Sequence, residues 1–169
     1  GYRSSIFKHA NSAPPADGFR KHESAHTNTP EIILEATLVL RKGEQQAIRK
    51  AIEEKIKYRL ERHPMDYPNI GSIFKNVDWK DVPPEVQEKF AEKMKKDPFP
   101  VLPTAVLLAE AGLKGTREGG AMFSPKHPNF IVNTQNASAE DVKKLISLAK
   151  EAIKTKFGVI LEEEVQYVE

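Results

Sequence analysis

The sequence contains no cysteine, no long apolar run and no excess of one charge sign. Without cysteine, disulfide bonds, thiolate nucleophiles and cysteine-ligated metals are excluded. No apolar run approaches the roughly 18 residues that a membrane-spanning helix needs, and no secretory signal opens the chain. The 26 Lys and Arg nearly balance the 24 Asp and Glu, whereas nucleic-acid binders carry a clustered basic excess. These features predict a cytoplasmic protein with neither a membrane nor a nucleic-acid partner.

What remains is an ordinary globular composition, with 39% hydrophobic and 30% charged residues in 169. One domain, or a small domain with part of another, is expected at this length. Residues 9–30 are rich in Pro, Ser, Asn and His and show no periodicity, which indicates a long loop. His9, His22 and His26 lie there at irregular spacing without other ligands, so a solvated loop is favoured and no metal site is predicted.

Periodic segments alternate along the rest of the chain, which predicts an α+β fold. Strands are expected over residues 31–40, 119–124, 129–133 and 159–168, and helices over residues 44–63, 81–100, 103–115 and 137–158. Thr104 is the predicted N-cap of the third helix. Ser138 and Asp141 have the spacing of a capping box at the start of the fourth, and Gly158 is expected to close it.

Two stretches, residues 2–8 and residues 69–76, contain polar residues that the local secondary-structure pattern does not require. In YRSSIFK, Arg3 shares a strand face with Ser5, where it could clamp a carboxylate or phosphate or be an edge-strand arginine. In NIGSIFKN, Gly71 lets the backbone approach a ligand, and Ser72 could act as donor, acid or nucleophile. A plain turn serine is the alternative, and a hydrolase elbow is disfavoured because the second glycine of G-x-S-x-G is absent.

Two later stretches raise the same question. In residues 119–133, GGAMFSPKHPNFIVN, the paired glycines suggest close backbone packing, and Lys126 and His127 could meet an anion or belong to a structural turn. In LEEEV, strand alternation places Glu162 and Glu164 on one face. One of these glutamates could point into a site, or both could be edge-strand charges that deter aggregation.

These four stretches, in this order and rough spacing, resemble the UDP-N-acetylenolpyruvoylglucosamine reductase (MurB) family, flavin enzymes of peptidoglycan precursor synthesis. The resemblance covers nearly the whole chain except the loop at residues 9–30, which looks like an insertion. It implies that residues 1–62 are the C-terminal part of an FAD-binding subdomain built on a mixed sheet with helices. Residues 63–158 would be an α/β substrate-binding subdomain, and residues 159–169 a return strand. No Gly-rich pyrophosphate loop occurs in this sequence, so the implied activity is expected within a longer chain.

The resemblance also implies a reaction and its participants. Enzymes of this family use NADPH and FAD to reduce the enolpyruvyl group of a UDP-sugar to UDP-N-acetylmuramate, with hydride added at C3 and a proton at C2. By motif, Arg3 would bind the substrate carboxylate and Ser72 would deliver the proton. Glu164, rather than Glu162, would assist as an acid or through a water. A monomer is expected.

Further positions follow from the same motifs. Tyr2, Lys75 and Asn76 would lie near the substrate or its diphosphate, and Gly71 would let substrate and flavin approach the backbone. The sequence departs from the family pattern at Val77, where proline usually follows the Lys-Asn pair. A non-catalytic module that binds a nucleotide sugar and lacks flavin is the alternative function.

Overall fold

The structure, a computed structural model, describes residues 34–96 and 99–168. The chain divides into two compact units, Gly1–Glu44 and Gln45–Glu169. In the first, residues 34–40 form no strand, and the side chains of Leu34 and Val39 are 93% exposed. The predicted strand is therefore wrong in its described part, and residues 31–33 lie outside it. A strand needs a partner for its backbone groups, and among the described residues none pairs with this segment.

The second unit begins with helix α1, Gln45–Arg62, where the sequence predicts one. None of its residues is buried, and its apolar stripe of Ile48, Ile52, Ile56 and Leu60 remains between 47% and 54% exposed. Its C-terminal end contacts the loop before the last strand. There the Lys126 ammonium donates a 2.6 Å hydrogen bond to the Leu60 carbonyl, which is one of the unpaired carbonyls of the last turn.

A four-stranded antiparallel sheet, a two-stranded ribbon and three more helices complete this unit. The four-stranded sheet has the order β1-β6-β5-β4, and the ribbon pairs β2 with β3. The strands are β1 (Asn69–Ser72), β2 (Val77–Asp78), β3 (Val101–Leu102), β4 (Arg117–Glu118), β5 (Ala121–Phe123) and β6 (Phe130–Asn133). The helices are α2 (Pro84–Phe90), α3 (Thr104–Glu110) and α4 (Ala139–Phe157), with short 3₁₀ turns at Trp79–Asp81 and Ala91–Lys93. The described residues therefore form the α+β fold that the sequence predicts.

Helix α4 begins and ends as predicted. The Ser138 hydroxyl accepts from the Asp141 N–H at 3.1 Å, and the Asp141 carboxylate accepts from the Ser138 N–H at 3.0 Å. Gly158 ends the helix at φ +65°, a left-handed conformation that favours glycine. One face of α4 is buried in the core through Leu145, Ile146, Ala149, Ile153 and Phe157. The amphipathic period seen in the sequence thus decides which face packs inward.

Two local predictions fail here. The N-cap of α3 is Pro103, and Thr104 is instead buried with its hydroxyl donating to the Lys75 carbonyl at 2.5 Å. Residues 159–168 form an extended segment, and its one bridge in the described chain joins Glu163 to Phe74, so the predicted strand is wrong. The Thr104 hydroxyl is taken by a tertiary contact, whereas the C-terminal segment lacks the partner that a continuous strand needs.

No helix among the described residues is long and apolar enough to cross a membrane. The same residues contain no group of three or more His, Asp or Glu placed to hold a metal ion.

Candidate functional site

The segment NIGSIFKN, residues 69–76, begins in β1, and its backbone is irregular at Gly71. The β1–β6 register shifts between Asn69 and Ser72, and Gly71 has φ +89°. The Gly71 N–H donates to the Asn69 side-chain oxygen at 3.1 Å. Among the described residues, none other than its chain neighbours has an atom within 4 Å of where a Cβ on Gly71 would stand. Glycine is therefore needed for the backbone conformation, and the space beside it is open to another molecule.

The C-terminal segment, residues 159–168, holds one side of the backbone that follows Ser72. The Lys75 N–H donates to the Glu162 carbonyl at 2.9 Å, and the Glu164 N–H donates to the Ile73 carbonyl at 2.7 Å. This antiparallel register places Glu164 opposite Ile73, one residue from Ser72. The structure thus brings two sequence-predicted residues, 92 positions apart in the printed numbering, to neighbouring positions of paired segments.

The opposite side of that backbone is held by a residue that the sequence analysis did not single out. Asn129 is buried, and its side-chain oxygen accepts from the Phe74 N–H at 3.0 Å. Its side-chain nitrogen donates to the Phe74 carbonyl at 2.9 Å. The only signal in the sequence was its place in the stretch over residues 119–133, where a polar carboxamide begins an apolar strand.

Helix α3 fixes the far end of the segment. Its Thr104 hydroxyl donates to the Lys75 carbonyl, and the Thr104 N–H donates to the Asn76 side-chain oxygen at 3.3 Å. The carboxamide of Asn76 is therefore oriented by the start of a helix.

An ion pair between Lys75 and Glu162 lies at the site. The Lys75 ammonium contacts the Glu162 carboxylate, and the Lys75 side chain is 21% exposed whereas that of Glu162 is 71% exposed. Glu162 is thus engaged with a cation, while Glu164 lies half-buried beside Ile73. The two glutamates therefore differ in exposure and in the residue that each lies opposite.

Glu163 is bound to other partners. It accepts hydrogen bonds from the Lys150 ammonium at 2.9 Å and from the Tyr167 hydroxyl at 2.6 Å. Burial raises the pKa of Glu163, but these two hydrogen bonds and the Lys150 charge outweigh it, and its pKa lies below the ordinary value. Burial, followed by the hydrogen bond to Glu163 and its charge, raises the pKa of Tyr167 to about 12. These contacts tie the C-terminal segment to α4.

The Tyr167 contact gives a prediction for alkaline titration. Because the folded pKa exceeds the unfolded value of about 10, the stabilisation is present below pH 10 and is lost as pH rises towards 12. We expect Glu163→Gln to move this ionisation to lower pH, since the variant lacks the negative charge that opposes the phenolate. Phenolate absorbance, taken as the difference between each protein and its Tyr167→Phe counterpart, measures the shift. An unchanged difference titration would contradict the contact.

The remaining predicted positions divide into two groups. Arg3 and Tyr2 lie outside the described residues. Lys126 and His127 are described, but Lys126 caps α1, and the His127 ring stacks on His63 with centroids 5.5 Å apart. Burial, followed by the charge of His63, lowers the pKa of His127. The predicted residues that the structure brings together are therefore Gly71, Ser72, Lys75, Asn76 and Glu164.

Comparison with known proteins assigns this arrangement to a family. Residues 63–168 match the family model described as UDP-N-acetylenolpyruvoylglucosamine reductase, C-terminal domain. The reductase of Lachnoclostridium phytofermentans is 40% identical over 136 residues, which are 80% of this chain and 37% of that protein. The reductase of Fervidobacterium nodosum is 33% identical over 166 residues, 98% of this chain and 41% of that protein. The chain thus spans about two fifths of the length of such relatives.

A solved structure agrees with the sequence comparisons. The crystal structure of UDP-N-acetylenolpyruvylglucosamine reductase (MurB) from Thermus caldophilus matches with a TM-score of 0.50 and 27% sequence identity, covering 75% of this chain and 36% of that one. The chain therefore belongs to the UDP-N-acetylenolpyruvoylglucosamine reductase family, with residues 63–168 matching its C-terminal domain.

Proposed function

We propose that this chain supplies part of the active site of a UDP-N-acetylenolpyruvoylglucosamine reductase that acts in peptidoglycan synthesis. Within a longer protein it would reduce UDP-N-acetylglucosamine enolpyruvate to UDP-N-acetylmuramate. The observation that supports this most is the pairing of the Ser72 and Glu164 segments in a chain of this family. We further propose a monomeric, cytoplasmic enzyme.

The proposed division of labour follows the chain. Residues 1–62 would contribute to FAD binding, residues 63–158 would close over the nucleotide sugar, and residues 159–169 would return towards the FAD-binding region. FAD, reduced by NADPH, would supply the hydride when bound. The open space beside Gly71 fits the approach of such a group, because no side chain of residues 34–96 and 99–168 fills it. Among the described residues, we assign Gly71 as the one that lets the cofactor approach the backbone.

Reduction of an enolpyruvyl group places negative charge on the carboxylate next to the reacting carbons. Fixed cations and hydrogen-bond donors stabilise such charge more than water does, because they need no reorganisation. We assign Arg3 to the carboxylate, where a guanidinium can donate two parallel hydrogen bonds. Tyr2, Lys75 and Asn76 are assigned to the substrate and its diphosphate. Lys75 is held in place by its Glu162 partner and by the hydrogen bond of its carbonyl with Thr104.

Ser72 is assigned as the donor of the proton to C2. A serine hydroxyl is a weak acid, so it can donate only to a strongly basic carbon and only where the resulting alkoxide is stabilised. We assign Lys75 as the cation that stabilises this alkoxide. It lies three residues after Ser72, in a segment whose backbone is hydrogen-bonded on both sides. Glu164 lies opposite the residue next to Ser72 and would assist as an acid or through a water.

The proposal is tested on the complete reading frame that contains this chain. We expect the purified protein to show a yellow flavin spectrum and to oxidise NADPH when the enolpyruvyl UDP-sugar is added. A protein without flavin that oxidises no NADPH with this substrate would contradict the proposal. If calorimetry on that protein still detected a UDP-sugar, the alternative of a non-catalytic binding module would be supported instead.

The two glutamates provide a separate prediction. We expect Glu164→Gln to lower kcat by about 100-fold, in the range typical of a lost general acid. Glu162→Gln should instead raise KM with a smaller effect on kcat, because it removes the partner that holds the Lys75 ammonium. Steady-state kinetics with the enolpyruvyl UDP-sugar separates the two. The opposite order of the kcat losses would assign the acid to Glu162.

A further inference from the structure

We propose that Asn129 is a positioning residue for this site, because its side chain takes the place of a strand partner for the segment that follows Ser72. The expected effect of Asn129 on catalysis rests on the proposed function. Its role in holding the Phe74 backbone rests on the hydrogen-bond geometry alone. Asn129 does not face the substrate in this proposal. It acts through the backbone of Phe74.

The hydrogen bonds of residues 73–75 divide between two sides. The bridge between Phe74 and Glu163 is of the kind in which the flanking residues make the hydrogen bonds, through the Lys75 N–H and the Ile73 carbonyl. The N–H and carbonyl of Phe74 therefore point away from the C-terminal segment. Both groups end on the Asn129 side chain, at 3.0 Å and 2.9 Å.

The main chain beside β6 supplies neither bond, and a proline explains why it cannot supply the donor. With Ser72 opposite Phe130 and the Ile73 N–H bound to the Asn129 carbonyl, the next position along is Pro128. Proline has no N–H, so a ladder cannot continue through it with a donor for the Phe74 carbonyl. A carboxamide has an acceptor oxygen and an NH₂ donor side by side, as a strand residue presents its own carbonyl and N–H on one edge, and Asn129 fills both roles.

The position leaves little freedom for other partners. Phe74 is fully buried and Asn129 is 3% exposed, so water cannot readily replace the lost bonds. Buried backbone groups without a partner are costly, and a segment left in that state would shift to satisfy them. Such a shift would move Ser72 and Lys75 together, since they flank the two residues that Asn129 and the C-terminal segment hold.

The first test compares Asn129→Ala with Asn133→Ala in the complete reading frame. Asn133 lies at the other end of β6, is the same residue type, and uses its side-chain oxygen to accept from the Ala137 N–H at 3.0 Å. We expect Asn129→Ala to lower kcat by about 10- to 100-fold, because displacements of about 1 Å have effects of that size. Asn133→Ala should leave kcat within about twofold. Equal losses of kcat in the two variants would overturn the positioning role.

The second test needs no activity. In the 169-residue chain, amide hydrogen exchange should show the Phe74 N–H losing protection by about 10-fold or more in Asn129→Ala relative to Asn133→Ala. Unchanged protection at Phe74 would overturn the structural half of the proposal. If the wild-type reading frame has no reductase activity, the proposed function fails, while this exchange result still decides whether Asn129 holds Phe74.

Asn129→Asp adds a variant of nearly the same shape. Its carboxyl can accept from the Phe74 N–H, but it can donate to the Phe74 carbonyl only when protonated. We therefore expect Phe74 protection in Asn129→Asp to approach that of wild type as pH falls, and that in Asn129→Ala not to. A pH-independent ratio between these two variants would count against the donor half of the interaction. This comparison remains informative if Asn129→Ala does not fold.

Discussion

Ser72→Ala, introduced into the complete reading frame, is expected to lower kcat for the enolpyruvyl UDP-sugar by about 10²- to 10⁴-fold, the range for removal of a proton-transfer group. The reduction of flavin by NADPH should keep its rate, because the proton is needed only when the sugar is reduced. Stopped-flow absorbance of the flavin follows the two half-reactions separately. The effect should therefore be confined to the second.

Ser147→Ala is the matched control, since it removes a hydroxyl from an exposed position on α4. We expect it to retain the wild-type rates. Equal slowing of both half-reactions in Ser72→Ala would indicate a general structural loss, and a kcat within threefold of wild type would exclude Ser72 as the proton donor.

Gly120→Ala is expected to lower the free energy of unfolding by about 4 kcal/mol or to prevent folding, an effect in the exceptional range for a single substitution. A Cβ at this position would stand 2.1 Å from the Gln135 carbonyl oxygen and 2.6 Å from the Ala137 nitrogen. Both are backbone atoms, which cannot rotate away. The same loop donates to the Gly120 carbonyl from the Thr134 N–H at 2.9 Å, so relief of the clash would also break that contact.

Gly112→Ala separates this crowding from the cost of a left-handed backbone. Gly112 has φ +79°, but a Cβ there would meet no described residue beyond its chain neighbours within 4 Å, so we expect the free energy of unfolding to fall by about 1 kcal/mol. Urea denaturation of the 169-residue chain, followed by circular dichroism, measures both variants. Similar losses for the two would show that the loop yields at Gly120.

The parts of the fold that could be predicted are those with a local cause. Helix α4 follows from its apolar period, from the Ser138–Asp141 capping box and from Gly158, all of which act within a few residues. Strands β5 and β6 also form within the predicted stretches. The strands expected over residues 31–40 and 159–168 could not be predicted reliably, because strand formation depends on a partner that the local sequence does not specify.

In the candidate site too, the features with a local motif could be predicted and the contacts between distant residues could not. Motif order predicts roles for Ser72 and Glu164, and the structure pairs the segments that carry them. The contacts of Thr104 and Asn129 were not predicted, since the sequence pattern gave Thr104 the role of a helix cap and gave no role to a carboxamide just before a strand. Their contacts with residues 74–76 span 28 to 55 positions, and nothing in a local pattern reports such distances.

The dependence of Lys75 on a partner 87 residues later has a consequence for synthesis in the cell. At about 5–20 residues per second, a ribosome needs on the order of 10 s to add the residues between the two. Both edges of the Phe74 segment are uncovered until Asn129 has been added, and the edge that faces Glu162 stays uncovered until the end of that interval. A message cut short before residue 162 would yield a protein that contains Lys75 and Asn76 but lacks the C-terminal segment that pairs with residues 73–75. The proposed site would then be assembled only after residue 162 has been added.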